Sequence, residues 1–324
     1  MNIRTDSFND VHLHATSVQG WGQTYSQISS GVVQCTLSQF ATPRAHFFRE
    51  RIDQRVVQHG EAPRGQICFA VPLAVTGTAR VQGREADENC IYVLQGGDEF
   101  MFHMPMHMDI LSITFERDGF ERAMAGAPWP TGIEALLKQP IVQVPAHRLE
   151  ESRARLMAVF NAVIALPELV STPEAEQQIE QAMLGELMRL ISDPACDRTQ
   201  RNASSPHGFI VEKCHRFTVA DSASPPSVVD LCKRLKVSRR TVQNSFQSIT
   251  ETNPVNYLRS VRLNGVRREL MARSAAELSI GDAAAKWGFF HLSHFASNYH
   301  ELFGELPSQT QRPSSSPRLH PAAA

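Results

Sequence analysis

The sequence lacks any apolar run long enough to cross a bilayer, and its first ten residues, MNIRTDSFND, lack the hydrophobic core of a secretion signal. These absences predict a cytoplasmic protein with no membrane partner. The chain also has no C-x-x-C pair, because its six cysteines are scattered. In a reducing compartment such cysteines are free thiols, so neither a disulfide framework nor a zinc site is expected.

Signatures of the common enzyme classes are missing as well. The chain contains no P-loop, no G-x-G-x-x-G, no H-E-x-x-H and no nucleophile elbow. Serine, histidine and aspartate are present, but no spacing singles out a catalytic triad. The sequence therefore predicts a protein that is not an enzyme, with no catalytic residue and no cofactor.

What the chain does contain is ordinary globular material with an uneven charge distribution. Of its 324 residues, 42% are hydrophobic and 20% are charged, which suits at least two folded domains. Residues 1–205 hold 17 basic against 24 acidic side chains, whereas residues 206–324 hold 15 against 9. A basic run is often only a solvated surface, but a split of sign by domain favours a polyanionic partner for the C-terminal part.

Strand signals dominate the first 125 residues. Short β-leaning runs are separated by turn residues, which predicts a small antiparallel barrel or sandwich. The segment from Ser38 to Gln58 fits either long strands or a helix. The predicted strands are Val32–Leu37, Arg64–Leu73, Ala79–Val81, Cys90–Gln95 and Ile110–Glu116.

From about Thr131 the apolar spacing becomes helical. Two longer helices are predicted, Ala146–Leu166 and Pro173–Ser192, each with an apolar stripe. The stripes could pair with a second subunit or could cover the strand-rich part, and both interpretations remain open. A polar, punctuated segment at 193–205 indicates a linker, and residues 313–324 indicate a disordered tail.

The C-terminal part carries two successive helix-break-helix patterns. Ser227 and Asp230 form a capping box before a short helix that breaks at Lys236-Val237, and Ser238 caps a second helix. In that second helix one face is apolar. The opposite face is polar and exposed, with the bidentate groups that read guanine and adenine in the major groove. Its residues are Arg240, Gln243, Asn244 and Gln247.

A long helix and a second copy of the pattern follow. Asn253 and Pro254 open the long helix, which runs to about Ala272. Ser279 caps the next helix, Gly288 breaks it, and the last helix ends at Gly304. Such an arrangement predicts two helix-turn-helix units that enter successive major grooves, about 34 Å apart. The predicted base contacts of the second unit are Ser293, Ala296 and Ser297, and the predicted phosphate contacts are Arg239, Arg259, Arg262, Lys286 and His300.

At these residues the sequence resembles the AraC/XylS family of transcription regulators. The similarity covers about Ser227 to Ser308 and lies in VSRRTVQNSF, NPVNYLRSVRLNGVRREL and WGFFHLSHFASNYHELFGELPS. Within the family the wording is closest to regulators of the ethanolamine-operon type. The resemblance implies seven helices, the first near His207–Phe217, with Arg240, Gln243 and Asn244 reading bases. The small second set should position the protein more than specify sequence.

The resemblance also implies a cupin-like N-terminal domain that binds an effector and dimerises. The predicted fold is α+β with five segments: a cupin-like sensor at 1–125, helical connector at 126–192, linker at 193–205, DNA-binding domain at 206–312 and tail at 313–324. The predicted partners are double-stranded DNA, a small-molecule effector and a second copy of the chain, with RNA polymerase as a candidate.

Two N-terminal features admit sharper interpretations. His103-Met-Pro-Met-His107 could belong to a cupin metal site, but it lacks the H-x-H pattern and a matching glutamate, so turn or lining residues are the preferred interpretation. Five arginines between positions 44 and 64 could bind an anionic effector, although ion pairs with Glu50, Asp53 and Glu61 are the simpler interpretation. They are Arg44, Arg49, Arg51, Arg55 and Arg64.

The predicted function is effector-responsive transcription control, and the family resemblance favours activation over repression. Two other classes compete with it. A cupin enzyme with a DNA-binding tail would bind a metal. An interaction module without specific DNA binding would show a shallow salt dependence and no preferred sequence.

Overall fold

The computed structural model describes residues 2–125, 133–170, 172–196, 205–222 and 224–314. The chain divides into two compact units, one made of Met1–Ser26 and Val33–Phe209, the other of Gln27–Val32 and Ile210–Ala324. Parts of the predicted linker and tail, residues 197–204 and 315–324, lie outside the described residues. No helix among the described residues has the length and apolar character needed to span a membrane.

The first unit is mostly antiparallel β-structure. Its described strands are β1 (Asn2–Phe8), β2 (Gly22–Gln27), β3 (Cys35–Ala41), β4 (Ala45–Ile52), β5 (Val56–Glu61), β6 (Gln66–Ala74), β7 (Ala79–Val81), β8 (Arg84–Ala86), β9 (Cys90–Gln95), β10 (Glu99–Met104), β11 (Met108–Glu116) and β12 (Ile141–Gln143). The segment that the sequence left open, Ser38–Gln58, is strand.

The strands form two sheets instead of one closed barrel. The seven-stranded sheet has the order β1-β3-β4-β11-β6-β9-β12, and the five-stranded sheet has the order β2-β5-β10-β7-β8. A closed barrel has no edge strands, whereas each of these sheets ends on two. The predicted barrel is therefore corrected to two antiparallel sheets, and the α+β class is confirmed.

Besides one short 3₁₀ helix, Pro167–Val170, five α-helices belong to the first unit in the described part of the chain. They are α1 (Val11–Ser17), α2 (Arg117–Ala125), α3 (Ile133–Leu137), α4 (Ala146–Ala165) and α5 (Pro173–Ile191). The apolar stripes of α4 and α5 are buried in the same core as the large sheet, through residues such as Phe160 and Met183. Of the two uses considered for these stripes, the structure shows the covering one.

The second unit is helical. Its described helices are α6 (Pro206–Ala220), α7 (Val228–Leu235), α8 (Arg239–Thr250), α9 (Pro254–Ala272), α10 (Ile280–Lys286) and α11 (Leu292–Phe303). The resemblance implied seven helices, whereas the described part of this unit has six. After Gly304 the described chain forms a turn in place of a seventh helix, and the Gln309 N–H donates to the Leu306 carbonyl at 2.9 Å. Thr310 Oγ1, which follows this turn, lies 2.7 Å from the buried Tyr299 hydroxyl.

Candidate nucleic-acid interface

Local capping fixes the first helix-turn-helix. Ser227 and Asp230 form the predicted capping box, in which the Asp230 N–H donates to Ser227 Oγ at 3.3 Å and the Ser227 N–H donates to Asp230 Oδ2 at 3.1 Å. The first helix stops at Lys236, which adopts a left-handed conformation with φ of 54°. Ser238 then caps α8 by accepting from the Thr241 N–H at 3.0 Å. The break is therefore two residues long and tight.

Helix α8 has one buried face and one exposed face. Val242, Phe246 and Ile249 are buried, and Phe246 packs edge-on against Tyr257 of α9 with ring centroids 5.2 Å apart. The residues predicted to read bases, Arg240, Gln243, Asn244 and Gln247, are all exposed. No hydrogen bond or ion pair to another part of the described chain occupies their side chains. Their donors and acceptors are therefore available to an external ligand.

The second helix-turn-helix repeats this plan with different chemistry. Ser279 caps α10 by accepting from the Asp282 N–H at 3.0 Å, and Gly288 breaks the chain with φ of 75°. Helix α11 begins after His291, whose side chain makes no cap hydrogen bond. Its buried face is aromatic and its outer face is small. The predicted contacts Ser293 and Ser297 are exposed, and Ala296 is half-buried.

Helix α9 packs closely against the second helix-turn-helix. Gly265 lies against the ring of Trp287 at the end of α10, so closely that a Cβ at position 265 would fall 2.3 Å from Trp287 Cε2. Leu263, Val266 and Leu270 of α9 share one core with Trp287 and with Phe295 and Tyr299 of α11. The second helix-turn-helix is therefore fixed to the long helix by its hydrophobic core.

The predicted phosphate contacts fall into two groups. Arg239 and His300 are exposed, with no intramolecular partner in the described chain. Arg259 donates to Asn298 Oδ1 at 3.2 Å, and Lys286 pairs with Glu269 at 2.5 Å. Arg262 lies over the ring of Phe289 at 4.5 Å, and burial together with the neighbouring Arg259 lowers its pKa. Contact with phosphate remains a prediction for all five residues.

The histidine motif of the first unit does not converge. His103 lies in β10 and is buried, and burial lowers its pKa to about 3, with the nearby Arg80 acting in the same direction. His107 is exposed in a left-handed turn with φ of 53°. Among the described residues no group of three or more His, Cys, Asp or Glu side chains is arranged to hold a metal ion.

Most of the N-terminal arginines are paired within the unit. Arg49 makes a bidentate bond to Asp109, with distances of 2.8 and 2.7 Å, and Arg64 pairs with Glu61 at 2.7 Å. Arg44 reaches Glu180 of α5 at 2.6 Å. Pairing is thus the main role of the set, although the partners include carboxylates that the sequence did not indicate.

Two groups of residues have surroundings that the sequence did not indicate, and the first is Glu50, which was expected to pair with an arginine. Glu50 is buried and accepts hydrogen bonds from the Tyr25 hydroxyl at 2.6 Å and from His14 Nε2 at 2.8 Å. The second group lies at the start of α11, where Phe290 is 74% exposed and Leu292 is 52% exposed. The only sequence signal for the second group is a pair of phenylalanines after Gly288, and it does not tell which of the two is buried.

Comparison with known proteins places the relatives of this chain among operon regulators. Residues 231–313 match the family model described as a helix-turn-helix domain. The probable thc operon regulatory protein of Rhodococcus erythropolis is 27% identical over 276 residues, which is 84% of this chain and 69% of that protein. The XylDLEGF operon transcriptional activator of Pseudomonas putida is 41% identical over 86 residues, 26% of this chain and 27% of that protein.

The structure of the AraC-like transcriptional activator CuxR covers 80% of this chain and 94% of its own, with 12% identity and a TM-score of 0.42, too low to bear on function. The match spans about a quarter of the length of the Pseudomonas relative. Neither operon regulator is named for ethanolamine, and that finer assignment remains a prediction. Residues 231–313 form a helix-turn-helix domain, and the relatives that this chain matches are named as operon regulators.

Proposed function

We propose that this chain binds double-stranded DNA sequence-specifically through both helix-turn-helix units and controls transcription in response to a small molecule. The observation that carries the proposal is the outer face of α8, where Arg240, Gln243, Asn244 and Gln247 are exposed. Arginine matches the acceptor pair of guanine, and asparagine or glutamine matches adenine. The face therefore has the chemistry of base recognition.

Affinity and register come from different parts of the surface. Lysine and arginine contacts to phosphates supply most of the affinity and its salt dependence, whereas base contacts supply the register. In this chain Arg239 and His300 are free for the first role, and the α8 face is free for the second. The residues at Arg259, Arg262 and Lys286 can take the first role only by leaving or sharing their present partners.

The test is a binding selection from random duplexes with the full chain, followed by titration of the selected duplex. Arg240→Ala should weaken specific binding by about 1–3 kcal/mol and relax preference at one base pair. Arg64→Ala removes an arginine that is 83% exposed in the other unit and serves as the control. Equal loss on every sequence would make Arg240 a phosphate contact, and selection of no preferred sequence would refute the proposal in favour of an interaction module.

The proposed effector site is the space between the two sheets of the first unit. A cavity of about 40 Å³ there is lined by residues of both sheets, including Trp21, Glu50, Tyr92 and Ser112. The Trp21 Nε1 and Tyr92 hydroxyl are buried and make no hydrogen bond among the described residues. Buried donors without acceptors are costly, so an acceptor-bearing ligand that reaches both would be stabilised. A cupin-like sensor role for this unit is part of the proposal.

A thermal-shift screen of small molecules against the full chain tests this site. A ligand that binds the folded state raises the melting temperature in a concentration-dependent way. Tyr92→Phe should reduce that shift because it removes one donor and little volume, and Tyr257→Phe provides a matched control in the other unit. A ligand whose shift is unaffected by Tyr92→Phe and Trp21→Phe binds elsewhere. Elemental analysis of the same protein tests the competing cupin-enzyme class, which requires a bound metal.

Three finer assignments belong to the same proposal. We infer activation, because the similar Pseudomonas protein is named as a transcriptional activator. A homodimer remains proposed, but the buried stripes of α4 and α5 cannot be its interface without unfolding the first unit's core. RNA polymerase as a partner and membership of the ethanolamine-operon type of regulator remain predictions, and transcription assays with purified polymerase test the first of them.

A further inference from the structure

Two exposed apolar side chains lie at the start of α11, the recognition helix of the second helix-turn-helix. Phe290 is 74% exposed and Leu292 is 52% exposed, whereas the neighbouring Phe289 is only 8% exposed. Large apolar side chains are normally removed from water, and single exposures are common. Here two lie within three residues of each other at the end of the helix that, in a helix-turn-helix, faces base edges. Their position, more than their exposure, indicates a ligand.

The backbone holds Phe289 inward and Phe290 outward. Gly288 turns the chain with φ of 75°, and a Cβ at this position would lie 2.9 Å from Pro225 Cγ. The Phe289 N–H then donates to the Ala284 carbonyl at 2.9 Å, and the Arg262 guanidinium covers its ring at 4.5 Å. With Phe289 held in this way, the next residue projects from the unit just before the cap of α11.

The two recognition helices can be aligned on their cap residues, Ser238 and His291. The residue after the cap is Arg239 in α8 and Leu292 in α11, and both are exposed. The next residue is Arg240 in the first helix and Ser293 in the second. At these two positions the first helix-turn-helix presents two guanidinium groups, and the second presents an apolar side chain and a small hydroxyl group.

We propose that the second helix-turn-helix reads thymine methyl groups in the major groove through Phe290 and Leu292. The C5 methyl of thymine is the apolar feature of the major groove, and it is recognised by apolar side chains. Ser293, Ala296 and Ser297 are too small for bidentate readout but leave room for the groove edge to approach. This inference rests on the proposed DNA-binding function and adds the base chemistry of the second half-site.

The experiment uses the full chain and the duplex obtained from the binding selection. Each thymine of that duplex is replaced singly by deoxyuridine, which removes only the methyl group. At one or more thymines of one half-site the wild-type chain should lose about fourfold in affinity, the factor expected for one buried methyl group. Phe290→Ala should bind the thymine duplex several-fold more weakly and should no longer distinguish it from the deoxyuridine duplex.

Leu292→Ala is a second variant with the same expected pattern at a neighbouring thymine. Val219→Ala removes an exposed apolar side chain of α6, 39% exposed, and should retain the full thymine preference. The melting temperature of each variant reports whether it folds. Because Phe290 packs little, its variant should melt with the wild type.

Three outcomes overturn the inference. Deoxyuridine duplexes could bind as tightly as thymine duplexes at every position. Phe290→Ala could lose the same factor on both duplexes, which would make the ring a non-specific contact. It could also bind DNA normally while losing transcription activation, which would assign the surface to a protein partner. In each case Arg240-dependent selection of a sequence would persist, so the proposed function would survive; selection of no sequence would refute both.

Discussion

The guanidinium carbon of Arg262 lies 4.5 Å above the centroid of the Phe289 ring, which joins α9 to the turn of the second helix-turn-helix. The same arginine is a predicted phosphate contact, so two roles compete for one side chain. Partial burial lowers its pKa, with Arg259 acting in the same direction, yet an arginine remains charged at any ordinary pH.

Arg262→Ala should lower the free energy of unfolding of the second unit by about 1–2 kcal/mol, the size of a partly desolvated cation–π pair. It should reduce the slope of log K for DNA binding against log salt concentration by less than one unit. Arg239→Ala, at an exposed position, should leave stability unchanged and reduce the slope by about one. Chemical denaturation and binding titrations over a range of salt measure both. A slope reduced by a full unit in Arg262→Ala would show that it contacts phosphate as well.

A second prediction concerns the ion pair between Arg267 and Glu305, at 2.7 Å. Arg267 is only 9% exposed and also covers the Phe303 ring at 4.6 Å, so Glu305 supplies an opposite charge next to a largely buried cation. Glu305→Gln should destabilise the unit by about 2 kcal/mol, less than for a fully buried pair because Glu305 is partly solvated. The measurement is thermal or urea unfolding.

Glu301→Gln is the control for that ion pair. It removes an exposed carboxylate from the last turn of α11, four positions before Glu305, and no ion pair joins it to another part of the described chain. We expect its unfolding free energy to match the wild type within about 0.5 kcal/mol. Equal effects of the two substitutions would attribute the loss to net charge and would contradict the pair-specific explanation.

The third prediction is a pH dependence of the first unit. Burial lowers the pKa of the His46 imidazole to about 4, and the carboxylate of Glu50 only partly opposes this. In the unfolded chain the same group titrates near pH 6.5. Between these values the unfolded state binds more protons, so stability is full above pH 6.5 and falls as the pH drops towards 4, by on the order of 3 kcal/mol.

Denaturation of the chain at pH 7.5, 6 and 5 tests this expectation. His46→Gln should make the curve shallower without flattening it, because burial lowers the pKa of His103 in the same unit to about 3 and so acts in the same direction. A wild-type stability that does not change over this interval would contradict the burial of both imidazoles.

The second unit could be predicted from local sequence because local rules determine its helix ends. Ser227, Ser238, Asn253 and Ser279 all accept the cap hydrogen bond that the sequence indicated. The exposure of the α8 face also followed, because a helical wheel depends only on period. The exposure of Phe290 did not follow, since which of two adjacent phenylalanines is buried depends on the packing of Arg262 and Pro225.

The first unit was harder because its sheets depend on distant pairings. Strands β7 and β9 lie where the sequence predicted them, but β1, β2 and β10 gave no clear local signal. Strand β4 pairs with β11, about sixty positions later in the chain, and such register is set by the partner as much as by the strand itself. The separation of the strands into two sheets is a property of those pairings, which no local pattern encodes.

The bare backbone of Gly265 against the Trp287 ring has a consequence for the operator. Because Gly265 has no side chain that could adjust, α9 and the second helix-turn-helix cannot shift or rotate relative to each other without losing this van der Waals contact. One extra base pair between half-sites would move the distal site by about 3.4 Å and rotate it by roughly 35°. We therefore expect binding to be more sensitive to the spacing between the half-sites than to their sequence, so that a substituted base pair is tolerated better than an inserted one.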